Sequence, residues 1–475
     1  MISMKLGDGL LSLATGYCRR LCHGLRINTA WPPGALPGDA AAEKPLKTFQ
    51  EFLAESYPAF HRCAQRWTLS PYGVVYRWPG WGDAGSSGLD PALLLGHYDV
   101  VPAEGNAWTV DPFGGEFLDG FIYGRGALDM KSITLGILES ADTLCRRGFK
   151  PRRDVWIALG GDEERTGILG ARETAAWMAR EGLRFSFILD EGTPVAVNQI
   201  SGISWPLALV GVEEKGYLSA ALSVDQAPGH ASQPPEQQAA AILSRALLRL
   251  SRRPFPWLLT PVAEECFRRL GDYAPGIAGW VMHHARLLGP LFFRAAGTSP
   301  SSRALLRTTM AITQLSGSAA DNVLPSAARA VLNLRLLPPW TVDSALERLR
   351  SVIADRRVAV TVHGLATDPV RAGPVKEVVE GPGWQEIRSA VDSAFGSAVL
   401  PGDTGLGMSV PALPFLMLAT TDSRHFKDLS PRIFRFSPQI LTPDDLSRIH
   451  GHDERISLEN MDRCLGFYTA LMEQL

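Results

Sequence analysis

Residues 92–99 read ALLLGHYD: five small or apolar residues, then an imidazole and, two positions on, a carboxylate. A run this short and apolar suits a strand buried on both faces, as in the middle of an α/β sheet. Three further runs have the same form. VWIAL (155–159) leads into Gly160-Gly161-Asp162-Glu163-Glu164, and FSFIL (185–189) into Asp190-Glu191-Gly192. PFLML (414–418) leads, after Ala419, into Thr420-Thr421-Asp422-Ser423-Arg424-His425. GVVYRW (73–78) reads as another strand, and helical stretches at 8–25, 46–56, 132–147 and 170–181 surround or separate these runs. Such alternation predicts an open α/β sheet.

The pattern changes after about residue 210. Strands are expected at 215–224, 308–315, 328–337 and 358–363, with helices at 237–250 and 341–354. The order β-α-β-β-α-β is that of a ferredoxin-like unit. The predicted layout is therefore an α/β domain in two parts, 1–210 and 369–475, with a second domain inserted at 211–368. An apolar excursion at 252–306 contains FPWLL and WVMHHARLLGPLFF. Packing is its expected role, with cover for a substrate or a dimer contact as the other readings.

In an open α/β sheet, ligands bind beyond the carboxyl ends of the strands. Here four apolar strands deliver His97, Asp99, Glu163, Glu164, Asp190 and His425 to that edge, and Asp129 joins them from the Gly-rich loop GRGALDMKS (124–132). Singly, each has an ordinary reading: a structural histidine, a solvated turn, a helix cap. Together, so many acids and imidazoles at a buried edge are costly without cations. A pair of divalent ions neutralises such a cluster and gives it chemistry.

Composition narrows the alternatives. A net charge of −2 gives no reason to expect a nucleic-acid partner. No segment reaches the roughly 18 apolar residues that span a bilayer. The first residues place an apolar stretch before paired arginines, the reverse of a signal peptide, so a cytoplasmic protein is expected. Cys18, Cys22 and His23 read as one face of an amphipathic helix, and a disulfide framework is not expected in a chain of 475 residues.

LLLGHYDVVPA, YGRGALDMKS, GGDEERTG, LDEG and TDSRHF resemble, in order, the successive motifs of the co-catalytic zinc peptidase family of aminoacylase, carnosinase-type dipeptidases and glutamate carboxypeptidase. GFKPRR, GVEEKGYLS, RTTMAIT, DNVLPSAARAVLNLR and IFRFSP resemble most the carboxypeptidase S and N-fatty-acyl-amino-acid hydrolase branch. The resemblance implies that 1–210 and 369–475 form a catalytic domain and 211–368 a lid or dimerisation domain, and it implies two zinc ions, with manganese or cobalt as substitutes. It assigns His97, Asp129 and Asp190 to one, and Asp129, Glu164 and His425 to the other. Asp129 would bridge, a shared water would be the nucleophile, and Glu163 the general base. Asp99 would hold the second ring nitrogen of His97. His230, in PGHASQPP, matches a histidine that reaches the partner subunit's site, which implies a homodimer. Asn322 and Arg335 match residues that bind the substrate carboxylate. His450 and His452, in IHGHDERIS, are read as structural loop residues.

The implied reaction is hydrolysis of an amide next to a free carboxylate, in an N-acyl amino acid or small peptide. Reverse condensation uses the same site. Two other readings stay open: a binding module on a degenerate scaffold, and a deacetylase or amidohydrolase of a biosynthetic intermediate. The last would want further basic groups, for which Arg303, Arg307 and Arg424 are candidates.

Overall fold

The computed structural model describes residues 8–81, 89–103, 105, 107–197, 199–200, 203–318, 320–396 and 409–475, with side chains from residue 16 onward. Its main sheet has eight strands, in the spatial order Gln65–Ser70, Gly73–Trp78, Val155–Gly160, Ala92–His97, Phe187–Ala196, Ile433–Leu441, Leu207–Glu214 and Ala412–Met417. Ala92–His97 runs parallel to both Val155–Gly160 and Phe187–Ala196, and the latter runs parallel to Ile433–Leu441. Gln65–Ser70 and Gly73–Trp78 form an antiparallel edge, so the sheet is mixed.

Every residue of Ala92–His97 and Val155–Gly160 is buried. Helices cover the sheet, which is why these strands read as unbroken apolar runs. Lys131–Arg146 packs on the C-terminal helix Leu458–Met472 and on the first helix, Asp8–Arg26. Tyr17, Leu21 and Leu25 of that first helix are buried in the main core.

A second sheet has four antiparallel strands, in the order Thr309–Ser316, Ala327–Leu336, Gly216–Asp225 and Ala359–Thr367. With helices Ala239–Arg252 and Val342–Ile353 it makes the expected β-α-β-β-α-β unit. Along Ala327–Leu336 the side chains alternate. Leu332, Leu334 and Leu336 are buried against the helices, while Val331, Asn333 and Arg335 face a cavity.

The chain leaves the main sheet at Glu214 and returns at Val370. These two residues hydrogen-bond reciprocally through their backbones, at 2.9 and 3.0 Å. The excursion folds as short helices from Pro261–Leu270 to Pro300–Leu306. Its Ala263, Phe267, Phe292 and Leu306 pack on Leu207, Leu209 and Leu413, at the edge of the main sheet. No helix among the described residues is long and apolar enough to cross a membrane.

Candidate metal centre and active site

Three strands and two loops converge at one edge of the main sheet. His97 is the last residue of its strand, Glu163 and Glu164 lie on a 3-10 turn three residues past Gly160, and Glu191 lies within Phe187–Ala196. Asp129 precedes the helix Lys131–Arg146. His97 Nε2 lies 3.2 Å from Asp129 Oδ1 and 3.4 Å from Glu191 Oε1. The other oxygen of Asp129, Oδ2, lies 3.1 Å from His450 Nε2, which is itself 3.2 Å from Glu164 Oε1. Donor atoms of His97, Glu163 and Glu191 all fall within 4.8 Å of one another, as do those of Asp129, Glu164 and His450. Asp129 thus turns one oxygen to each set.

Asp99 organises both sides. His97 Nδ1 faces the Asp99 main-chain carbonyl at 3.1 Å and its carboxylate at 3.5 Å. The same carboxylate accepts the backbone N–H groups of Glu163 and Glu164, each at 3.1 Å. One buried acid therefore orients the imidazole and aims the glutamate pair.

The electrostatics show why the cluster suits cations. Burial pushes Glu163 well above the ordinary carboxylate range; the His97 charge offsets this only in part, and Asp422, Glu191 and Glu164 add to it. Burial also raises Glu191 to about 8. His97 is raised well above an ordinary imidazole, because the charge of Glu191 and the bonds to Asp129 and Asp99 outweigh its burial. Burial alone would raise Asp129, yet His450 and His97 hold it below the usual range. Buried carboxylates crowded round two imidazoles are stabilised by positive charge placed among them. The donor set of imidazoles and carboxylate oxygens suits zinc-like divalent ions.

Two expected ligands, Asp190 and His425, lie outside these two donor sets. Asp190 turns away from the cluster. Its Oδ1 accepts from Glu191 N at 2.9 Å and its Oδ2 from Ser423 N at 2.8 Å. Neighbours on a strand point to opposite faces, so Asp190 fastens the 420s loop and Glu191 takes its place beside His97. His425 is the second. Its Nε2 donates to the Thr166 carbonyl at 2.9 Å, and burial pushes it down to about 4, so it is a neutral imidazole tied to the loop after Glu164. The position beside Asp129 and Glu164 belongs to His450, one of the two histidines assigned to loop structure from the sequence. The run of histidines and acids in IHGHDE was the available signal.

A cavity of about 880 Å³ opens over the cluster, between the two sheets. Asp129, Glu163, Glu164, Glu191 and His450 form its floor, and Tyr217, Asn333 and Arg335 face them from the four-stranded sheet. The Arg335 guanidinium lies 4.9 Å over the Tyr217 ring. Leu128, Pro194, Met417, Leu441 and Ile449 supply an apolar wall. Asn322 is separated from Arg335. It lies with His230 on a small ribbon in which Gly229–His230 pairs with Val323–Leu324, and the Ala231 N–H donates to the Asn322 carbonyl at 3.0 Å. Both side chains are exposed and outside the cavity of their own chain. Among the described residues, none of the excursion lines it either.

Comparison with known proteins gives the family and the fold. Residues 93–474 match peptidase family M20/M25/M40. N-fatty-acyl-amino acid synthase/hydrolase PM20D1 of Xenopus tropicalis is 36% identical over 431 residues, covering 90% of this chain and 80% of its own. Probable carboxypeptidase S-like 2 of Dictyostelium discoideum is 33% identical, covering 90% of this chain and 78% of its own. Among solved structures, the M20 family metallo-carboxypeptidase Sso-CP2 of Sulfolobus solfataricus superposes with a TM-score of 0.69 at 16% identity, over 96% of this chain and 98% of that one. A family match over nearly the whole motif-bearing chain, a shared fold, and two facing sets of divalent-metal donors lead to one statement: the chain belongs to peptidase family M20/M25/M40 and is a metal-dependent hydrolase of the carboxypeptidase and aminoacylase type.

Proposed function

We propose that the protein hydrolyses the amide bond of an N-acyl amino acid, or of a small peptide with a free C-terminal carboxylate, using two zinc ions. One ion would be held by His97, Glu191 and Asp129, and the other by Asp129, Glu164 and His450. The observation that carries this reading is the division of Asp129, with Oδ1 at 3.2 Å from His97 and Oδ2 at 3.1 Å from His450. When bound, such a pair of ions polarises the scissile carbonyl and acidifies a water molecule.

The chain's own groups do the rest. Glu163 accepts a proton from the attacking water as the C–O bond forms, then hands it to the amine nitrogen as the C–N bond breaks. Arg335 offers its planar fork to the substrate carboxylate. The apolar wall from Leu128 to Ile449 suits an acyl group, in keeping with the fatty-acyl substrates named for the Xenopus relative. Condensation of a fatty acid with an amino acid follows the same path in reverse.

His230 and Asn322 are proposed to serve the cavity of a second copy, which makes the working unit a homodimer. Their exposure and their pairing on one ribbon, away from their own cavity, support this. Placement in the cytoplasm is proposed too, since all six cysteines are free.

The test is a hydrolysis screen of N-acyl amino acids and dipeptides with added zinc or manganese, run beside Glu163→Gln. Turnover should fall by about 10²–10⁴-fold in the variant, the usual worth of a positioned base, with bound metal retained. Turnover near the native level in a metal-loaded Glu163→Gln chain would rule the mechanism out.

A further inference from the structure

The bridging carboxylate and the second imidazole hang from the same buried acid. Glu454 is fully buried and lies four residues past His450. Its Oε1 accepts the backbone N–H of Leu128 at 2.7 Å and that of Asp129 itself at 3.1 Å. Its Oε2 accepts the Gly126 N–H at 3.0 Å and Arg125 Nη1 at 2.7 Å. The loop 125–129 is thus curled round a carboxylate supplied from 325 residues away in sequence. Successive N–H groups turned inward on one anion make a stiff nest.

Arg125 closes the other half of the clamp. Its Nη2 donates to the Gly451 carbonyl at 2.9 Å, next to His450, and its guanidinium lies 5.3 Å from the Trp108 ring. Arg125 and Glu454 are 3% and 0% exposed, so the pair is shielded from solvent. His450 itself has a φ of +60°, a left-handed conformation that an isolated loop would not keep. The loop 449–453 is further pinned by Asp453, whose carboxylate accepts the Thr109 N–H at 2.8 Å.

We infer that Glu454, with Arg125, is a positioning residue that sets the distance between Asp129 and His450 and so builds the second metal position. This rests on the two-metal reading above. Glu454 does not touch the metals or the substrate; it acts by fixing the two segments that do. Partners of this kind are worth about 10–100-fold in metal affinity. The ion held by Asp129, Glu164 and His450 has two of its three donors hung from the clamp, whereas the other has one.

The test is a titration of cobalt(II) into the metal-free, full-length protein, followed by calorimetry and visible absorbance, with His450→Ala to assign the second site. The native chain should take up two ions. In Glu454→Gln, affinity at the second site should fall about 10–100-fold, with a smaller loss at the first. Turnover should fall with little change in KM, because Arg335 is untouched, and Glu454→Asp should recover part of both. Should Glu454→Gln not fold, Arg125→Lys carries the same expectation, since an ammonium cannot reach both Glu454 and Gly451. Native affinity at both sites in a folded variant, or a loss no larger at the second site than at the first, overturns the inference. A native chain that binds no ion overturns the two-metal reading instead.

Discussion

Two imidazoles at the active edge differ in what their ring nitrogens face. His450 Nε2 meets two carboxylates, whereas His425 Nε2 meets a main-chain carbonyl. A carbonyl-bound Nε2 carries its proton and has no lone pair to offer a metal. His450→Ala should therefore reduce the bound metal from two ions per chain to one, while His425→Ala should keep two. Elemental analysis of the purified variants checks this. Two ions in the first variant with one in the second would restore His425 as the ligand. The same reasoning separates Asp190 from Glu191, since the first has both oxygens engaged by backbone N–H groups and the second does not.

At the scale of elements, the site depends on two loops meeting without side chains between them. Gly167 has φ of +64°, and a Cβ there would lie 1.9 Å from Asp422 Oδ1. Gly167→Ala should destabilise the fold by about 1–3 kcal/mol, from backbone strain with the clash added. Chemical denaturation reads this directly; an unchanged midpoint would mean that the loops are not in contact. A second element-scale prediction concerns the crossing between the sheets. Burial pushes Glu213, beside that crossing, up to about 7. The folded state then holds a proton that the unfolded state releases near pH 4.5. Stability from this group is full below about pH 4.5 and is lost as pH rises toward 7. Glu213→Gln keeps the uncharged form at all pH values. Its melting temperature should fall less between pH 5 and pH 8 than that of the native chain, and an equal or larger fall would count against the buried-acid account.

For the whole molecule, the arrangement of lid and ribbon makes a statement about copies. If His230 completes the site of a second chain, Glu163→Gln and His230→Ala chains are each inactive alone. Mixed and allowed to exchange, they should recover about a quarter of native turnover, because half the dimers are hybrid and each hybrid has one intact site of two. No recovery after subunit exchange has been demonstrated by mass spectrometry would place His230 outside the partner's site.

Short apolar runs ending in acids, the β-α-β-β-α-β order and the succession of motifs were enough to predict a mixed α/β sheet with a β-α-β-β-α-β unit and a metal-dependent hydrolase, and they put forward His97, Asp129 and the Glu163–Glu164 pair, which the fold brings to one edge. Those features are local, since burial on both faces of a strand and side-chain alternation leave their mark within a few residues. Which of Asp190 and Glu191 turns inward was not local in that sense, because one residue of register decides it. Nor was the choice of His450 over His425, which depends on a loop held in a left-handed turn by Glu454 and Arg125 from distant parts of the chain. The residue types needed for the chemistry were written along the chain, but the distances between them exist only once the tertiary packing closes loops that the sequence leaves far apart.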